Sequence, residues 1–231
     1  MNAAGLDSLV VAVDGTSGSG KSSTCKAVAA RLGLRYLDTG AMYRAVTWWM
    51  LEHGVDVHDP EAVAAHADRP RLSSGTDPLH PTIALDGADV SVEIRSDAVN
   101  AAVSPVSTVP AVRERLVALQ REVIGDGGIV VEGRDIGSVV WPQADLKLYL
   151  TADPAARAAR RALEAGTEDV AATRESLLNR DRIDSGRAVA PLTMADGAVH
   201  IDTTDLTLDE VVDLVAGLAV EAASAPADVG Q

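Results

Sequence analysis

The hydrophobic and polar positions of this 231-residue chain alternate between short apolar runs and longer segments with helical periodicity. The run "SLVVAV" near the N-terminus is short and apolar, which predicts a strand buried on both faces. The next segment, "KSSTCKAVAARLG", has helical spacing and stops at a glycine. A second apolar run, "RYL" at 35–37, leads into a long apolar helix through "AMYRAVTWWMLEHG". This alternation of strands and helices predicts a parallel sheet.

The pattern changes between residues 70 and 96, where Pro, Gly and Ser are frequent. The apolar stretches "TIAL" and "DVSVEI" there flank the hairpin signal "DG" at 86–87. A small antiparallel insert is therefore predicted in this range.

The α/β pattern resumes after the insert, beginning with helical periodicity at about 109–124. "GIVVEGRD" and "ADLKLYLTAD" supply two more buried strands, and two polar, arginine-rich helices follow. A last strand in "AVHIDTT" and a last helix in "LTLDEVVDLVAGLAVEAA" complete the pattern. These elements predict one core sheet that the insert interrupts.

Composition and charge exclude several classes of protein. The chain is 47% apolar, which is sufficient for a sizeable core, but its net charge of −14 argues against a binder of nucleic acid polymers. A polyanionic ligand would therefore need a local basic patch. A single cysteine suits a reducing compartment, and no segment reaches the roughly 18 to 20 apolar residues of a membrane span. We expect a cytoplasmic monomer without a membrane partner.

The loop after the first strand carries a phosphate-binding motif, G-x-x-x-x-G-K-[ST], matched at Gly15, Gly20, Lys21 and Ser22. Backbone N–H groups would surround the β-phosphate, Lys21 would contact the β and γ oxygens, and the Ser22 hydroxyl would bind Mg²⁺. The alternative, a connector that binds nothing, is disfavoured by the strand before and the helix after. The expected ATP-binding residues are Gly15, Thr16, Ser17, Gly18, Ser19, Gly20, Lys21, Ser22 and Ser23.

Three further stretches are expected at the ends of predicted strands, where open α/β sheets bind ligands. In "DTGAMYR", Thr39 and the following helix N-terminus can hold an anion, with Arg44 one turn further; an ordinary N-cap with a surface arginine is the alternative. In "EGRDIGS", Arg134 and Asp135 suit a phosphate and an exocyclic amine, unless they form only a salt bridge.

The third stretch is "RDRIDSGRAVAP", whose charged residues recur every three to four positions. This spacing predicts one shared helix face, and a solvated charged surface is the usual alternative. The residues concerned are Arg180, Arg182, Asp184 and Arg187.

The segments "VDGTSGSGKSST", "YLDTGAMYR", "VEGRDIGSVVWP" and "RDRIDSGRAVAPL", in this order, resemble the bacterial cytidylate kinases, which are nucleoside monophosphate kinases. The resemblance covers about residues 9–218. It implies an α/β P-loop kinase with a five-stranded parallel sheet and helices on both faces. The core would comprise 1–69, 97–154 and 188–231, with a monophosphate-binding insert at 70–96 and a helical lid at 155–187.

The resemblance also implies an activity and individual roles. The activity is phosphorylation of CMP and dCMP by ATP with Mg²⁺. The CMP phosphate would be held by Thr39, Arg44 and Arg134, the cytosine by Ser104, Arg113 and Asp135, and the sugar by Arg180 and Asp184. The lid residues closing over the transferring phosphate would be Arg157, Arg160 and Arg161, together with Arg187. The implied catalytic set is Lys21, Arg134, Arg157, Arg161 and Arg187, while Arg182 has no assigned role.

The chemistry of cytosine agrees with this assignment, because its N4 amine suits a carboxylate and its N3 and O2 acceptors suit an arginine. Two other functions stay open. One is a P-loop kinase for another small acceptor, such as UMP; the other is a nucleotide-dependent switch. The guanine-reading N-K-x-D signature is absent, since none of the three lysines follows an asparagine.

Overall fold

The computed structural model describes residues 5–187 and 190–225. Positions 1–4, 188–189 and 226–231, which belong to the ranges expected as core, lie outside the described residues. The strands in the described part are β1 (Val10–Gly15), β2 (Arg35–Asp38), β3 (Leu72–Ser74), β4 (Ile83–Leu85), β5 (Ala88–Asp89), β6 (Ile129–Glu132), β7 (Leu146–Thr151) and β8 (Val199–Asp202). The α-helices are α1 (Lys21–Leu32), α2 (Thr39–Glu52), α3 (Pro60–Ala65), α4 (Asp97–Thr108), α5 (Pro110–Ile124), α6 (Pro154–Ala165), α7 (Val170–Ser185) and α8 (Leu208–Ser224). Among these helices, none combines the length and the apolar character needed to cross a bilayer.

The central sheet confirms the predicted five parallel strands, in the order β2-β6-β1-β7-β8. Alternate residues of β1 point to opposite faces, with Val10 and Ala12 in one apolar cluster and Val11 and Val13 in the other. Helices α2, α4 and α5 cover the first face, and α1 and α8 cover the second. The carboxyl ends of β1, β2 and β6 therefore meet at one edge, where the phosphate loop begins.

Gly15 ends β1 under a steric requirement. Its φ is +142°, and a Cβ at this position would lie 1.9 Å from the Leu150 carbonyl oxygen of β7. Glycine is therefore needed here for the close approach of two strands, before any ligand is considered.

The predicted antiparallel insert is present as the three-stranded sheet β3-β4-β5. The prediction of a strand through "DVSVEI" is wrong, because strand pairing stops after Asp89 and a 3₁₀ turn spans Glu93–Arg95. Val90 and Ile94 are both buried, and the Ile94 N–H donates to the Val90 carbonyl at 3.1 Å. In an extended strand Val92 would share the face of Val90 and Ile94, but Val92 is 80% exposed, so the buried positions follow a helical and not a strand period.

Two helices were not predicted from the pattern. Helix α3 is a short surface helix capped by the Asp59 side chain. Helix α4 contains Pro105 and many Val, Ser and Thr residues, which have low helix propensity. Packing of Ala102 and Val106 into the core stabilises α4 despite this composition.

The helix face predicted for the third charged stretch is only partly correct. Arg180 and Asp184 lie on one face of α7, but the helix ends at Ser185, so Arg187 follows it. Arg182 lies about 200° around the helix from Arg180. It is exposed and donates to the Asn179 side chain at 2.5 Å. Residues two apart on a helix cannot share a face, which is the reason for the correction.

Candidate functional site

A cavity of about 760 Å³ lies at the carboxyl edge of the sheet and extends from the phosphate loop to α4, α6 and α7. Eight basic and six acidic side chains line it. The cavity is thus locally cationic within a chain whose net charge is −14. Of the residues predicted to bind ATP, those lining it are Ser17, Gly18, Gly20, Lys21, Ser22 and Ser23. Gly15, Thr16 and Ser19 are not part of its lining.

Lys21 is folded into the phosphate loop. Its Nζ donates to the carbonyl oxygens of Gly15 at 2.9 Å and Thr16 at 2.7 Å. Burial, together with the nearby Arg134 guanidinium, lowers the pKa of Lys21 to about 7. An anion bound in the loop would raise the pKa of Lys21 again, because its negative charge would stabilise the buried ammonium.

Glu132, the last residue of β6, was not identified from the sequence. Its Oε2 accepts a hydrogen bond from Ser22 Oγ at 2.9 Å, and its Oε1 accepts from the Tyr36 hydroxyl. Burial and the neighbouring Asp38 carboxylate raise the pKa of Glu132 to about 7. A hydroxyl and a carboxylate side by side are ligands that Mg²⁺ prefers, so the residues present fit the metal implied for ATP. The sequence signal for Glu132 is a carboxylate directly after the apolar run in "GIVVEGRD".

Two arginines on the acceptor side lack carboxylate partners. Arg44 donates only to neutral oxygens, those of the Ile94 carbonyl at 3.1 Å and the Asn100 side chain at 2.8 Å. Arg180 has a buried Nε without a partner, and neither arginine forms an ion pair within the described residues. Burial and a neighbouring guanidinium lower the pKa of Arg44 to about 9 and that of Arg180 to about 10. Partly buried cations without a compensating carboxylate favour an anionic ligand in the cavity that they line.

Asp184 holds two of the predicted arginines in place. Its carboxylate accepts from Arg134 Nε at 2.9 Å and pairs with Arg187 Nη2 at 3.3 Å. Arg134 also donates to the Gly15 carbonyl at 2.8 Å, which joins this group to the phosphate loop. All three side chains line the cavity.

Asp135 and Arg113 form a buried ion pair, with only 7% and 4% of their side chains exposed. Asp135 lines the cavity, whereas Arg113 lies behind it, over the Tyr43 ring at 5.8 Å from the ring centre. Arg113 Nη1 is buried without a partner. The pair therefore presents a carboxylate to the cavity and holds an unused donor behind it.

Thr39 and Ser104 also line the cavity. The Thr39 hydroxyl donates to the Glu132 carbonyl at 2.7 Å, and Asp38 rather than Thr39 caps α2 by accepting from the Ala41 N–H. Ser104 lies on α4 and is buried except towards the cavity.

The four arginines assigned to the transferring phosphate separate in the structure. Arg161 and Arg187 line the cavity. Arg160 does not: its guanidinium donates to the carbonyl oxygens of Thr203 at 2.6 Å and Thr204 at 3.2 Å. Arg157 is buried against Ser17 and is not part of the lining either. Residues 160 and 161 are about 100° apart on the helix, and α6 is oriented so that Arg161 faces the cavity and Arg160 faces the end of β8.

The three-stranded sheet β3-β4-β5 itself does not reach the cavity. From residues 70–96, only Ile94 and Arg95 line it. Most of that wall comes from α4, the helix that the pattern did not predict.

Asp14 fixes the backbone next to Asp135. Its two carboxylate oxygens accept from the N–H groups of Ile136 and Gly137, each at 2.8 Å. Burial raises the pKa of Asp14 to about 6, although these hydrogen bonds oppose the shift.

We expect Asp14→Asn to change the pH dependence of stability. Because the folded-state pKa is raised, the contribution of Asp14 to the free energy of unfolding is greatest below pH 4 and is lost as the pH rises through 6. The free energy of unfolding of the variant minus that of the wild type should therefore rise by roughly 1 kcal/mol between pH 5 and pH 7.5. Urea unfolding at several pH values measures this difference. A difference that is constant with pH would contradict the assignment, whatever constant cost the lost acceptor brings.

Comparison with known proteins extends these observations to nearly the whole chain. The family model described as cytidylate kinase matches residues 11–221. The chain is 59% identical over 213 residues to the cytidylate kinase of Streptomyces griseus subsp. griseus, covering 91% of this chain and 92% of that protein. It is 56% identical over 218 residues to that of Streptomyces avermitilis, covering 94% of each. The matched range includes the phosphate loop, the arginines around the cavity and both helices α6 and α7. The chain therefore belongs to the cytidylate kinase family.

Proposed function

We propose that this protein transfers the γ-phosphoryl group of ATP to the phosphate of CMP or dCMP, forming ADP and CDP or dCDP. The family membership supports a nucleotide kinase. The observation that carries the proposal is the continuous cavity between the phosphate loop and two partly buried arginines, Arg44 and Arg180, which have no carboxylate partner in the described part of the chain. Two phosphate-bearing substrates need such a cationic space between them.

The donor half of the site would be formed by the phosphate loop. Backbone N–H groups at the start of α1 would surround the β-phosphate, and Lys21 would turn from the Gly15 and Thr16 carbonyls to the β and γ oxygens. Ser22 and Glu132 would hold Mg²⁺, which when bound neutralises charge on the transferring phosphate.

The acceptor half would lie across the cavity. Thr39, Arg44 and Arg134 would hold the CMP phosphate, and Arg180 and Asp184 the sugar. The cytosine base would be read by Ser104, Arg113 and Asp135. Its N4 amine would donate to Asp135, while the unpartnered Nη1 of Arg113 supports a donor to a ring acceptor.

Transfer would need no general base, because the acceptor phosphate is already an anionic nucleophile. One of its oxygens would bond to the γ-phosphorus as the bond from that phosphorus to the β–γ bridging oxygen breaks, leaving ADP. Arg161 and Arg187 would neutralise charge that builds up on the γ-phosphate oxygens. The residues of this chain would thus act mainly by positioning and by charge.

The test is ADP release from ATP and Mg²⁺ with each of CMP, dCMP, UMP, AMP and GMP, and with no acceptor. We expect CMP and dCMP to support turnover well above the rate without acceptor. Preference for another monophosphate would contradict the substrate assignment. ADP release that does not respond to any acceptor would favour a nucleotide-dependent switch instead.

A further inference from the structure

The tip of the phosphate loop is fastened to the two helices α6 and α7, which we call the lid. The Ser17 N–H donates to Asp181 Oδ1 at 3.1 Å, and the Ser17 carbonyl accepts from Arg157 Nη1 at 2.9 Å. The same Arg157 nitrogen pairs with Oδ2 of Asp181. Each helix of the lid thus contributes one charged side chain to a closed ring of contacts around a single residue of the loop. We call these three residues the latch.

The charged side chains of the latch are largely shielded from solvent. Only 4% of the Arg157 side chain and 14% of the Asp181 side chain are exposed. Beside it, Gly18 has a φ of +77°, and a Cβ there would lie 3.4 Å from Arg157 Cβ and 3.6 Å from Leu177 Cδ1. Leu177, one turn before Asp181 on α7, is buried. Leu177 and Gly18 therefore lie beside the charged contacts and contribute to their burial.

The two charged residues of the latch lie beside the cavity rather than in it. Ser17 and Gly18 line the cavity, but Arg157 and Asp181 do not. A nucleotide phosphate can therefore occupy the cavity side of the loop while the latch stays closed behind it. The Asp181 carboxylate does not line the cavity, so it would not have to move away when the phosphates of ATP enter.

The latch determines where neighbouring cavity residues project. Arg161 lies one helical turn after Arg157 on α6, and Arg180 directly precedes Asp181 on α7. Both line the cavity. A rigid helix transmits a fixed position at one turn to the next, so fastening Arg157 and Asp181 to the loop also fixes these two arginines relative to it.

We propose that Asp181 is a positioning residue that holds the lid on the phosphate loop and so sets the arginines of the lid for phosphoryl transfer. Arg157 belongs to the same device and acts through it, rather than by touching the transferring phosphate. The inference rests on the proposed function in one respect: it takes the cavity beside the latch as the place of transfer. Its physical basis is that removing one partner of a buried ion pair leaves the other charge uncompensated.

The test compares Asp181→Asn, Arg157→Lys and the double variant with Glu175→Gln. Glu175 is an exposed α7 residue with no ion pair within the described residues, so Glu175→Gln removes the same charge from the same helix. Amide hydrogen exchange at Ser17 and across residues 154–185 is measured without nucleotide. Affinity for a nonhydrolysable ATP analogue with Mg²⁺ is measured by calorimetry, and kcat and KM for ATP by turnover.

We expect Asp181→Asn to accelerate exchange in the lid and at Ser17 by about tenfold or more, beyond any change in exchange elsewhere in the protein. Analogue affinity should fall about five- to fiftyfold, and kcat/KM for ATP should fall with it. Arg157→Lys keeps the positive charge and should change exchange, affinity and kcat/KM in the same direction but less. If Asp181→Asn does not fold, Arg157→Lys is the variant on which these quantities are measured. The double variant should lose no more than the larger single change, because both act on one latch. Glu175→Gln should match wild type.

Lid exchange in Asp181→Asn equal to that in Glu175→Gln would overturn the proposal. Tighter analogue binding by Asp181→Asn would also overturn it, since the carboxylate would then be competing with phosphate for the Ser17 N–H. Additive losses in the double variant would show that Asp181 and Arg157 act independently, which would contradict a single latch. The exchange and analogue measurements use no acceptor, so they retain their meaning even if the acceptor proves not to be CMP.

Discussion

Lys21→Ala is expected to reduce phosphoryl transfer by about a hundred- to a thousandfold while the protein stays folded. The lost ammonium is the charge proposed to move to the β and γ oxygens of ATP, and removal of one such group from a preorganised site has effects of about this size. Stability should change little. The Gly15 carbonyl keeps its hydrogen bond from Arg134 at 2.8 Å, and a buried cation whose pKa is lowered to about 7 is itself costly.

Steady-state kinetics with CMP and ATP, together with a thermal melt, measure both parts of this expectation. Lys147→Ala is the matched control, because it removes the same charge from β7 at a position outside the cavity lining. Near-normal kcat/KM in folded Lys21→Ala protein would refute the donor assignment.

Asp135→Asn is expected to remove most of the preference for CMP over UMP. In the wild-type protein the N4 amine of cytosine would donate to the carboxylate, whereas the O4 carbonyl of uracil would face it with no proton between them. Unpaired buried polar groups cost roughly 1 to 3 kcal/mol, which corresponds to a preference of about five- to 150-fold, and the cost is larger when a charge is involved. An asparagine amide can donate to O4, so the variant should accept UMP better and CMP less well.

The measurement is the ratio of kcat/KM for CMP to that for UMP in each protein, repeated with dCMP. The ratio cancels losses that affect both acceptors equally, including those from a weakened pair with Arg113. Some loss of stability is expected, since that pair is buried with only 4% and 7% side-chain exposure. An unaltered ratio in folded variant protein would exclude Asp135 from base reading.

Much of the fold could be predicted from the sequence because the signals are local. Apolar runs such as that of β1 identify buried strands, and Gly33, with φ of +69°, stops α1 as predicted. The phosphate loop is likewise a local arrangement of strand, glycines and helix. The failures occurred where packing overrides propensity: α4 is helical despite Pro105, and Val90 and Ile94 enter the core through a 3₁₀ turn.

The candidate site was predictable in its residue types and only partly in its geometry. Lys21, Arg44, Arg134 and Asp184 line one cavity as the motifs indicated. Glu132 was overlooked because a single carboxylate at a strand end has no distinctive spacing. Its significance emerges only from the approach of Ser22, 110 positions away in the chain.

The sequence by itself determined the class of fold, the phosphate loop and the arginine-rich composition of the lid, because each depends on neighbouring residues and their periodicity. Only the tertiary structure decided which arginines face the cavity. Arg160 and Arg161 are adjacent, yet one binds the carbonyls after β8 and the other lines the cavity. The contact between Ser17 and Asp181 joins residues 164 positions apart. The physical reason is that spacing along a helix fixes the angles between side chains, whereas the partner each one meets depends on distant elements packed against that helix.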